Sequence, residues 1–334
     1  MRKRPSTLAD VARRAGTSTA VVSYVMNNGP RPVAAATRER VLAAAAELGY
    51  RPNRIARALR SRTTGVAGLV LADASNPYFG ALARHVERAL EGRDLLTLVG
   101  NAGYSAQRQR HLVERFLAAQ VDGLVIVSAD SVGDVAEVAE AAGVPAVYVH
   151  HGPPGAPVAA ADNQDAVREA VAHLRGHGHR HVAFLTGPDD EGPVGVRRAA
   201  WQAAVAGDPG AALLRCDYSR AAADALTRSL AAAGTLPRAL VTATDEQAIG
   251  VLSGAWARGL AVPDRLAVIS LDGAPESAHT APALTVTEQP LQAMAEQAVA
   301  LLFDEAAAAP LAARASLILR RSCGCAGGDL DLVS

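Results

Sequence analysis

The chain reads TLADVARRAGTSTAVVSYVMN at residues 7–27. Thr7 presents a cap hydroxyl, and the Asp10 carboxylate three residues on completes the pattern of a capping box. Apolar side chains then recur at three- and four-residue intervals as far as Gly16, which predicts an amphipathic helix that ends there. Beyond this turn, Ser18 can cap a second helix. Two short helices joined by a tight glycine turn are typical of a helix-turn-helix unit.

The second helix is predicted over residues 19–27 and has an apolar and a polar face. At about 100° per residue its three valines fall together, and the opposite arc holds Thr19, Ala20, Ser23, Tyr24 and Asn27. A third helix, predicted over residues 34–48, supports this pair by burying Val41, Leu42, Ala45 and Leu48. A short basic helix is predicted at residues 53–60, where about eight residues are too few for a helix that is stable alone in water. We expect it to form on a partner or on DNA.

The net charge of zero conceals a strong asymmetry between the two ends of the chain. Residues 1–62 hold thirteen Lys and Arg and only three acidic residues, a net charge of +10, so the rest of the neutral chain carries −10. A basic end on an acidic chain is typical of a protein that binds a polyanion with one domain only. Nucleic acid is therefore the first candidate partner.

From Gly65 onward, apolar stretches alternate with Ala-rich helical stretches. Strands are predicted at residues 66–72, 95–100, 123–128, 146–150, 182–186, 213–216, 239–244, 266–271, 284–286 and 316–321. Continuous apolar strands separated by helices imply parallel sheets with helices on both faces, and this number of strands implies two such sheets. The length of 334 residues fits this division, because it exceeds that of one ordinary domain.

Composition and motif content argue against several classes of protein. No apolar run reaches the 18 or so residues of a membrane span, and the first residues lead into nothing like a signal peptide. Three cysteines cannot build a disulfide framework. A cytoplasmic protein with no membrane partner is therefore predicted. An enzyme is not favoured, since the chain lacks a dinucleotide-binding glycine motif after its first strand, a Walker loop, a nucleophile elbow and a zinc-protease motif.

Short motifs follow one another along the chain in a specific order: Thr7-Leu-Ala-Asp-Val-Ala, Gly16-Thr-Ser18 with Val22-Ser23, Thr37-Arg-Glu-Arg-Val41 with Leu48-Gly-Tyr50, Arg51-Pro-Asn53 with Ala56 and Leu59, Asn76-Pro-Tyr-Phe79, Leu185-Thr-Gly-Pro188, and Thr287-Glu-Gln-Pro290. Together they resemble the LacI/GalR family of bacterial transcriptional regulators, from Thr7 to about Ser322. The resemblance implies an all-α helix-turn-helix headpiece and a two-lobed α/β core that is similar to periplasmic binding proteins and has doubly wound parallel sheets. It places the headpiece with its hinge helix at residues 1–62, lobe one at 63–162 and 290–321, lobe two at 163–289, and a flexible tail at 322–334.

The resemblance also implies that the second helix enters the major groove of double-stranded DNA, with a homodimer on a pseudo-palindromic operator. The DNA-contacting residues that it implies are Thr7, Ser18, Thr19, Ala20, Ser23, Tyr24, Asn27, Arg51, Asn53, Arg54, Ala56, Arg57 and Leu59. Ala20 offers only a methyl group, which suits a thymine methyl, and Tyr24 either reads a base or contacts a phosphate. Leu59 resembles the hinge leucine that opens a base step of the minor groove. The alternative is that Ile55 and Leu59 merely pair on one helix face.

For the core, the resemblance implies a small polar effector between the lobes, a sugar or sugar derivative, with a nucleobase as the alternative. The matched positions are Asp73, Tyr78, Phe79, His150, Arg197, Thr244, Asp272 and Gln289. The guanidinium of Arg197 and the carboxylate of Asp272 together suit vicinal hydroxyls, whereas the two aromatic residues either stack on the ligand or pack in the core.

Two of these positions depart from the pattern of sugar-responsive members. His150 stands where they often carry an acid, and Thr244 stands where they often carry Asn, so the effector need not be a common hexose. His150 and His151 either bond a ligand as neutral rings, respond to pH near 6 to 7, or are ordinary loop histidines.

No cofactor and no metal are predicted. The segment His177-Gly-His179-Arg-His181 suggests zinc, but no nearby cysteine or acid completes a closed site, and the segment also resembles the ordinary lead-in to a strand. Cys323-Gly-Cys325 lies near a terminus predicted to be loose, which does not favour a redox or metal role.

The predicted function is therefore a ligand-responsive, sequence-specific DNA-binding regulator, a repressor of catabolic or transport genes, and not an enzyme. A solute-binding protein or an enzyme on the same core is the alternative, but neither would use a headpiece of charge +10. The carboxyl-terminal tail lacks the leucine heptads that make some members tetramers, which favours a dimer. Whether the effector releases or promotes DNA binding is left open.

Overall fold

The computed structural model describes residues 4, 6–26, 31–51, 63–127, 133–189, 192–303 and 314–325. The chain folds as two compact units, residues 1–64 and residues 65–334. Among the described residues, no helix is long and apolar enough to cross a membrane.

The described residues of the first unit form α1 (Leu8–Ala15), α2 (Thr19–Met26) and α3 (Ala35–Glu47). The predicted capping box is present, because the Asp10 amide donates to Thr7 Oγ1 at 3.3 Å and the Thr7 amide donates to Asp10 Oδ2 at 2.9 Å. Helix α1 ends at Gly16, whose φ of 65° lies in the left-handed region that favours glycine. Nearby residues therefore set both ends of this helix, the first through the side chains of Thr7 and Asp10 and the second through the backbone freedom of Gly16.

The three helices pack around a small apolar core. Its buried members are Val11, Ala12, Ala15, Val22, Val25, Val41, Ala44 and Ala45. This confirms the predicted inner faces of α1 and α2. The prediction that Leu42 is buried was wrong, since its side chain is 47% exposed. Leu42 lies about 100° around the helix from Val41, outside the face that α1 and α2 cover.

The second unit contains the two predicted sheets, which are parallel except for an antiparallel strand at one edge of the second sheet. The first has the order β2-β1-β3-β4-β5, with β1 (Val66–Leu71), β2 (Leu96–Asn101), β3 (Gly123–Val127), β4 (Ala146–Val149) and β5 (Val158–Ala159). The second has the order β11-β10-β9-β8-β6-β7, with β6 (Ala183–Thr186), β7 (Leu213–Arg215), β8 (Ala239–Thr242), β9 (Ala267–Ser270), β10 (Thr285–Glu288) and β11 (Ser316–Ile318). All ten predicted strands are present within a few residues, and the two-residue β5 is additional, since it is too short to give a pattern.

Helices cover both faces of each sheet, as predicted. The first sheet has α4 (Pro77–Glu91) and α11 (Leu291–Phe303) on one face and α5 (Ala106–Ala118) with α6 (Gly133–Ala141) on the other. The second sheet has α7 (Asn163–Gly176) and α8 (Gly192–Ala204) on one face and α9 (Arg220–Ala233) with α10 (Asp245–Ala257) on the other. Each lobe is thus a three-layer α/β sandwich with its own core.

The return of the chain from the second lobe differs from the prediction. Helix α11 crosses back to the first lobe as expected, where its apolar face joins the core of β1, β3 and β4. Strand β11 was predicted in lobe one, within residues 290–321, but it pairs antiparallel with β10 in the second sheet, Val286 opposite Ile318. Without β11, β10 would be the edge strand of the second sheet, with unpaired backbone N–H and C=O groups along one side. Pairing with β11 satisfies these groups.

The predicted flexible tail at 322–334 also begins too early. Ser322 and Cys323 are buried, in a 3-10 turn at Arg321–Cys323. Ser322 Oγ donates to the Val268 carbonyl at 2.7 Å and accepts from the Thr285 amide at 2.8 Å. These bonds fasten residues 322–325 to the second sheet, whereas residues 326–334 lie outside the described residues.

Candidate effector cleft and DNA-binding surface

The candidate cleft lies where the carboxyl ends of strands from both sheets face each other. Asp73 and His150 follow β1 and β4 of the first lobe, and Thr244, Asp272 and Gln289 follow β8, β9 and β10 of the second. Open α/β sheets bind ligands at this edge, because loops and helix amino termini converge there.

A buried ion pair forms the floor of the cleft in lobe two. Arg197 Nη1 lies 2.8 Å from Asp272 Oδ1, and the two residues are only 4% and 5% exposed. Arg197 also donates through Nε to Asn163 Oδ1 at 2.8 Å and through Nη1 to the Ala243 carbonyl. A buried pair with this many partners is held rigidly, and removing one member costs about 3–5 kcal/mol because the other is left unpaired.

A second carboxyl group, Asp245, lies beside this pair. The Asp245 amide donates to Asp272 Oδ2 at 3.3 Å, and Asp245 Oδ2 accepts from the Ala274 amide. Burial, together with the negative charge of Asp272, raises the pKa of Asp245 to about 7. Sequence reasoning did not select Asp245, although the pair Thr244-Asp245 directly follows a strand.

Aromatic side chains form the facing wall in lobe one. Tyr78 is buried, with its hydroxyl 3.2 Å from His150 Nε2, and its ring packs edge-on against Phe79 at 5.4 Å between centroids. Burial raises the pKa of the Tyr78 phenol, and the charge of Asp272 acts in the same direction. Phe79 also contacts Tyr104, at 6.4 Å between ring centroids. Tyr104 was missed, because a single tyrosine in the loop after β2 carries no distinguishing pattern.

His150 is a neutral ring in this environment. Burial and the nearby positive charge of Arg197 lower the pKa of His150 to about 3. The predicted alternative of a response to pH near 6 to 7 does not agree with this position, since an imidazolium here would lose its hydration beside a cation.

The other three predicted positions already have structural partners. Asp73 accepts from the Ser75 amide at 3.0 Å and from its hydroxyl at 2.6 Å, in the turn before α4. Thr244 Oγ1 caps α10 by accepting from the Gln247 amide at 3.3 Å. Gln289 Nε2 donates to the Leu271 carbonyl at 3.1 Å and lies 3.5 Å from Asn163 Oδ1. Asn163 therefore links Gln289 to Arg197, a role that sequence reasoning missed.

Helix α2 of the first unit has an exposed side. Thr19 and Ala20 are exposed, and Ser23 and Tyr24 are half-buried. The Arg31 guanidinium lies 5.7 Å from the centre of the Tyr24 ring, which orients that ring by a cation–π contact. Two predicted DNA contacts act as caps here, since the hydroxyl of Thr7 caps α1 and that of Ser18 accepts from the Val21 amide at 3.3 Å.

Several predicted contacts cannot be placed on this surface. Arg51 is exposed at the end of the described segment. The hinge helix predicted at 53–60 and six predicted DNA contacts lie outside the described residues: Asn27, Asn53, Arg54, Ala56, Arg57 and Leu59.

Comparison with known proteins assigns the two units to known families. Residues 7–53 match the bacterial regulatory proteins of the lacI family, and residues 171–323 match a periplasmic binding protein-like domain. Catabolite control protein A of Priestia megaterium is 32% identical over 305 residues, which cover 89% of this chain and 91% of that protein. The transcriptional regulator MalR of Streptomyces coelicolor is 33% identical over 323 residues, 91% of each chain.

Solved structures agree with this assignment. The Lac repressor dimer bound to operator and the anti-inducer ONPF superposes with a TM-score of 0.83 at 26% identity, over 96% of this chain and 99% of that one. A complex of the transcriptional regulator CelR with cellobiose gives a TM-score of 0.68 at 27% identity, over 96% and 100% of the two chains. The chain belongs to the LacI family of bacterial regulatory proteins. It is a helix-turn-helix transcriptional regulator with a periplasmic-binding-protein-like effector core, which confirms the predicted fold and class of function.

Proposed function

We propose that this regulator acts as a cytoplasmic homodimer, binds a pseudo-palindromic operator, represses catabolic or transport genes, and has no enzymatic activity. Its effector is a small polyhydroxylated molecule, a sugar or sugar derivative, held between the two core lobes. The observation that carries the proposal is the buried Arg197–Asp272 pair, 2.8 Å apart, at the carboxyl end of β9. A guanidinium and a carboxylate side by side recognise neighbouring hydroxyls by donating to one and accepting from the other.

The relatives support a sugar effector over a nucleobase. Solved structures of similar chains contain ONPG, cellobiose and lactose, in the Lac repressor, CelR and a regulator from Arthrobacter respectively. In this chain the rings of Phe79 and Tyr104 supply an apolar face for a pyranose ring. The neutral His150 supplies either a donor or an acceptor at physiological pH.

Effector binding changes DNA affinity only if the effector distinguishes open from closed lobes. A ligand that bonds Tyr78 on one lobe and Asp272 on the other does so, because both contacts exist together only in the closed arrangement. Coupling of this kind is typically about 1–3 kcal/mol, or 5–150-fold in operator affinity. Thr19, Ala20 and Tyr24 of α2 would read base edges, and Arg51 would contact a phosphate.

The test begins with a thermal-shift screen of sugars, nucleosides and small organic acids on the full-length protein. The effector that emerges is titrated against a labelled operator with wild type, Asp272→Asn and Asp224→Asn. Asp272→Asn keeps the side-chain shape but removes the charge, so we expect its titration midpoint to rise at least about tenfold while ligand-free operator binding stays near wild type. Asp224, paired with Arg228 on the surface of α9, is the matched control and should respond as wild type does. An unchanged midpoint in Asp272→Asn would show that the cleft assignment is wrong.

A further inference from the structure

Four metal-ligating side chains from two distant parts of the chain meet on lobe two, away from the cleft residues. His173 and His177 lie at the carboxyl-terminal end of α7, and Cys323 and Cys325 follow β11. One ligand atom from each lies within 4.8 Å of all the others. Of the three histidines between His177 and His181, only His177 belongs to this group, and its neighbours are the two cysteines that the sequence pattern did not place near it. His181 instead bonds Asp208, with 2.6 Å between Nδ1 and Oδ1.

Four of the six separations between the ligand atoms are close to those of a tetrahedral site. The two imidazole Nε2 atoms are 3.2 Å apart. His173 Nε2 lies 3.3 Å from Cys323 Sγ and 3.4 Å from Cys325 Sγ, and His177 Nε2 lies 3.3 Å from Cys325 Sγ. Tetrahedral zinc with Zn–N of about 2.0–2.1 Å and Zn–S of about 2.3 Å needs separations of about 3.3 Å between nitrogens and about 3.6 Å between nitrogen and sulfur. These four separations therefore lie within a few tenths of an ångström of the tetrahedral values, and the separations of Cys323 Sγ from His177 and from Cys325 are no more than 4.8 Å.

Local backbone structure explains why the four side chains converge. His173 and His177 are four residues apart, so they lie on the same face of the helix end. Between the two cysteines, Gly324 has a φ of 104°, which side chains other than glycine rarely allow, and the resulting turn directs both sulfurs toward the histidines. The buried hydroxyl of Ser322 fixes the start of this turn on the second sheet.

A buried hydroxyl group donates a hydrogen bond to one of the sulfur ligands. Thr285 is fully buried, and its hydroxyl donates to Cys323 Sγ at 3.1 Å. The same oxygen accepts from the Arg320 amide at 2.9 Å, so its proton is directed at the sulfur. A donor of this kind stabilises a thiolate and orients it, as outer partners do in protein metal sites.

We propose that His173, His177, Cys323 and Cys325 form a structural zinc site that fastens the carboxyl-terminal segment to α7. Two imidazoles and two thiolates in a tetrahedron select zinc over magnesium or calcium, which take oxygen ligands. Four protein ligands close the coordination sphere, which makes the site structural and not catalytic. Binding releases the two thiol protons to solvent. Because the ligands are about 150 positions apart, the ion closes a loop that contains nearly all of lobe two.

The proposal is tested on the full-length, untagged protein, since a histidine tag binds zinc by itself. Metal content is measured after purification under reducing conditions, and the chelator-stripped protein is then titrated with Zn²⁺ and with Co²⁺. We expect one equivalent of zinc per chain, and with Co²⁺ the ligand-field bands of a tetrahedral ion together with a thiolate-to-metal charge-transfer band. The midpoint of thermal unfolding should rise on zinc addition.

Two variants and two matched controls locate the site. Cys325→Ser and His177→Gln alter the more exposed ligands, so the fold should survive, and we expect each to weaken zinc binding by more than about 100-fold. Cys216→Ser and His181→Gln remove a cysteine and a histidine elsewhere in the same lobe. Both control variants should still bind one equivalent of zinc per chain. Three outcomes overturn the proposal: no bound metal in the wild type, equal losses in variants and controls, or a Cys323–Cys325 disulfide in the reduced preparation.

Discussion

At the scale of single residues, the cleft places two carboxyl groups and one guanidinium where water is largely excluded. Arg197 neutralises Asp272 at 2.8 Å, and the amide of Asp245 donates to the same Asp272 carboxylate at 3.3 Å. Ionising two neighbouring carboxyl groups in such a place is costly, because burial removes the hydration of the charge and the like charge repels it. The pKa of Asp245 is therefore raised, because ionising this carboxyl group is unfavourable next to Asp272.

The first prediction concerns the pH dependence of stability. The pKa of Asp245 rises from an ordinary 3.8 to about 7 on folding. Since the folded-state value is the higher one, the stability contributed by the protonated carboxyl is complete below about pH 4 and is lost as the pH rises through about 7. Asp245→Asn stays neutral, so we expect it to gain stability relative to wild type as the pH increases over this interval.

This prediction is checked by urea unfolding of wild type and Asp245→Asn at several pH values between about 4 and 8. Asp224→Asn serves as the control, because the pKa of Asp224 is lowered by its hydrogen bond to Arg228. The difference between that control and wild type should stay constant over the same interval. A constant difference for Asp245→Asn as well would show that Asp245 titrates normally.

At the scale of elements, helices α9 and α10 pack at unusually close range. A Cβ on Gly254 of α10 would lie 2.8 Å from the Asp224 carbonyl and 2.8 Å from Thr227 Cβ, both on α9. Backbone atoms cannot move aside as a flexible side chain can. The glycine is therefore required by packing, although glycine in the middle of a helix costs about 1 kcal/mol relative to alanine.

The second prediction follows from this contact. We expect Gly254→Ala to lower the free energy of unfolding by about 1–3 kcal/mol, the usual effect of overpacking. Gly80→Ala in α4 is the matched control, because nothing lies within 4 Å of a Cβ there, and it should raise stability by up to about 1 kcal/mol. Denaturant unfolding of both variants measures the two changes in the free energy of unfolding, which we expect to be opposite in sign. Stabilisation by both changes would refute the close approach of α9 and α10.

The third prediction concerns the hinge helix expected at residues 53–60. If Leu59 opens a base step, Leu59→Ala should weaken binding to a specific operator at least about tenfold and binding to random DNA much less, since the wedge contributes only on bendable sites. Ile55→Ala is the control that separates the two interpretations. If the two residues merely pair on one helix face, both variants should lose affinity equally on both DNAs, as measured by fluorescence anisotropy.

At the scale of the whole molecule, charge is divided between the two ends of the chain. The first 62 residues carry +10 and the remainder −10, so attraction to DNA is concentrated in the headpiece. The acidic remainder, which contains the effector-binding core, is not attracted to the DNA phosphates. DNA affinity should therefore depend on ionic strength much more strongly than effector affinity does.

The fourth prediction gives this difference a magnitude. Two headpieces that each make several phosphate contacts release counterions, so a plot of log affinity against log salt concentration should have a slope of about −5 or steeper. Operator binding measured between about 50 and 300 mM salt tests this, with effector binding to the same protein as the internal comparison. A slope near zero for the operator would contradict DNA binding through the basic headpiece.

The sequence by itself determined the parts of this protein that depend on near neighbours. The capping box at Thr7 and Asp10, the valine face of α2 and the ten apolar strands all follow from spacing over a few residues. Periodicity and cap chemistry act locally, so they can be read without knowing the path of the chain. The same motifs, in order, were enough to indicate the family.

Tertiary structure alone decided what depends on residues far apart in the sequence. The pKa of His150 depends on burial and on Arg197, and the partial exposure of Leu42 depends on which helix face its neighbours cover. The pairing of β11 with β10 brings Cys323 and Cys325 to His173 and His177, about 150 residues earlier in the chain. Contacts of this kind depend on how the chain crosses between lobes and on strand register, and no local pattern encodes either.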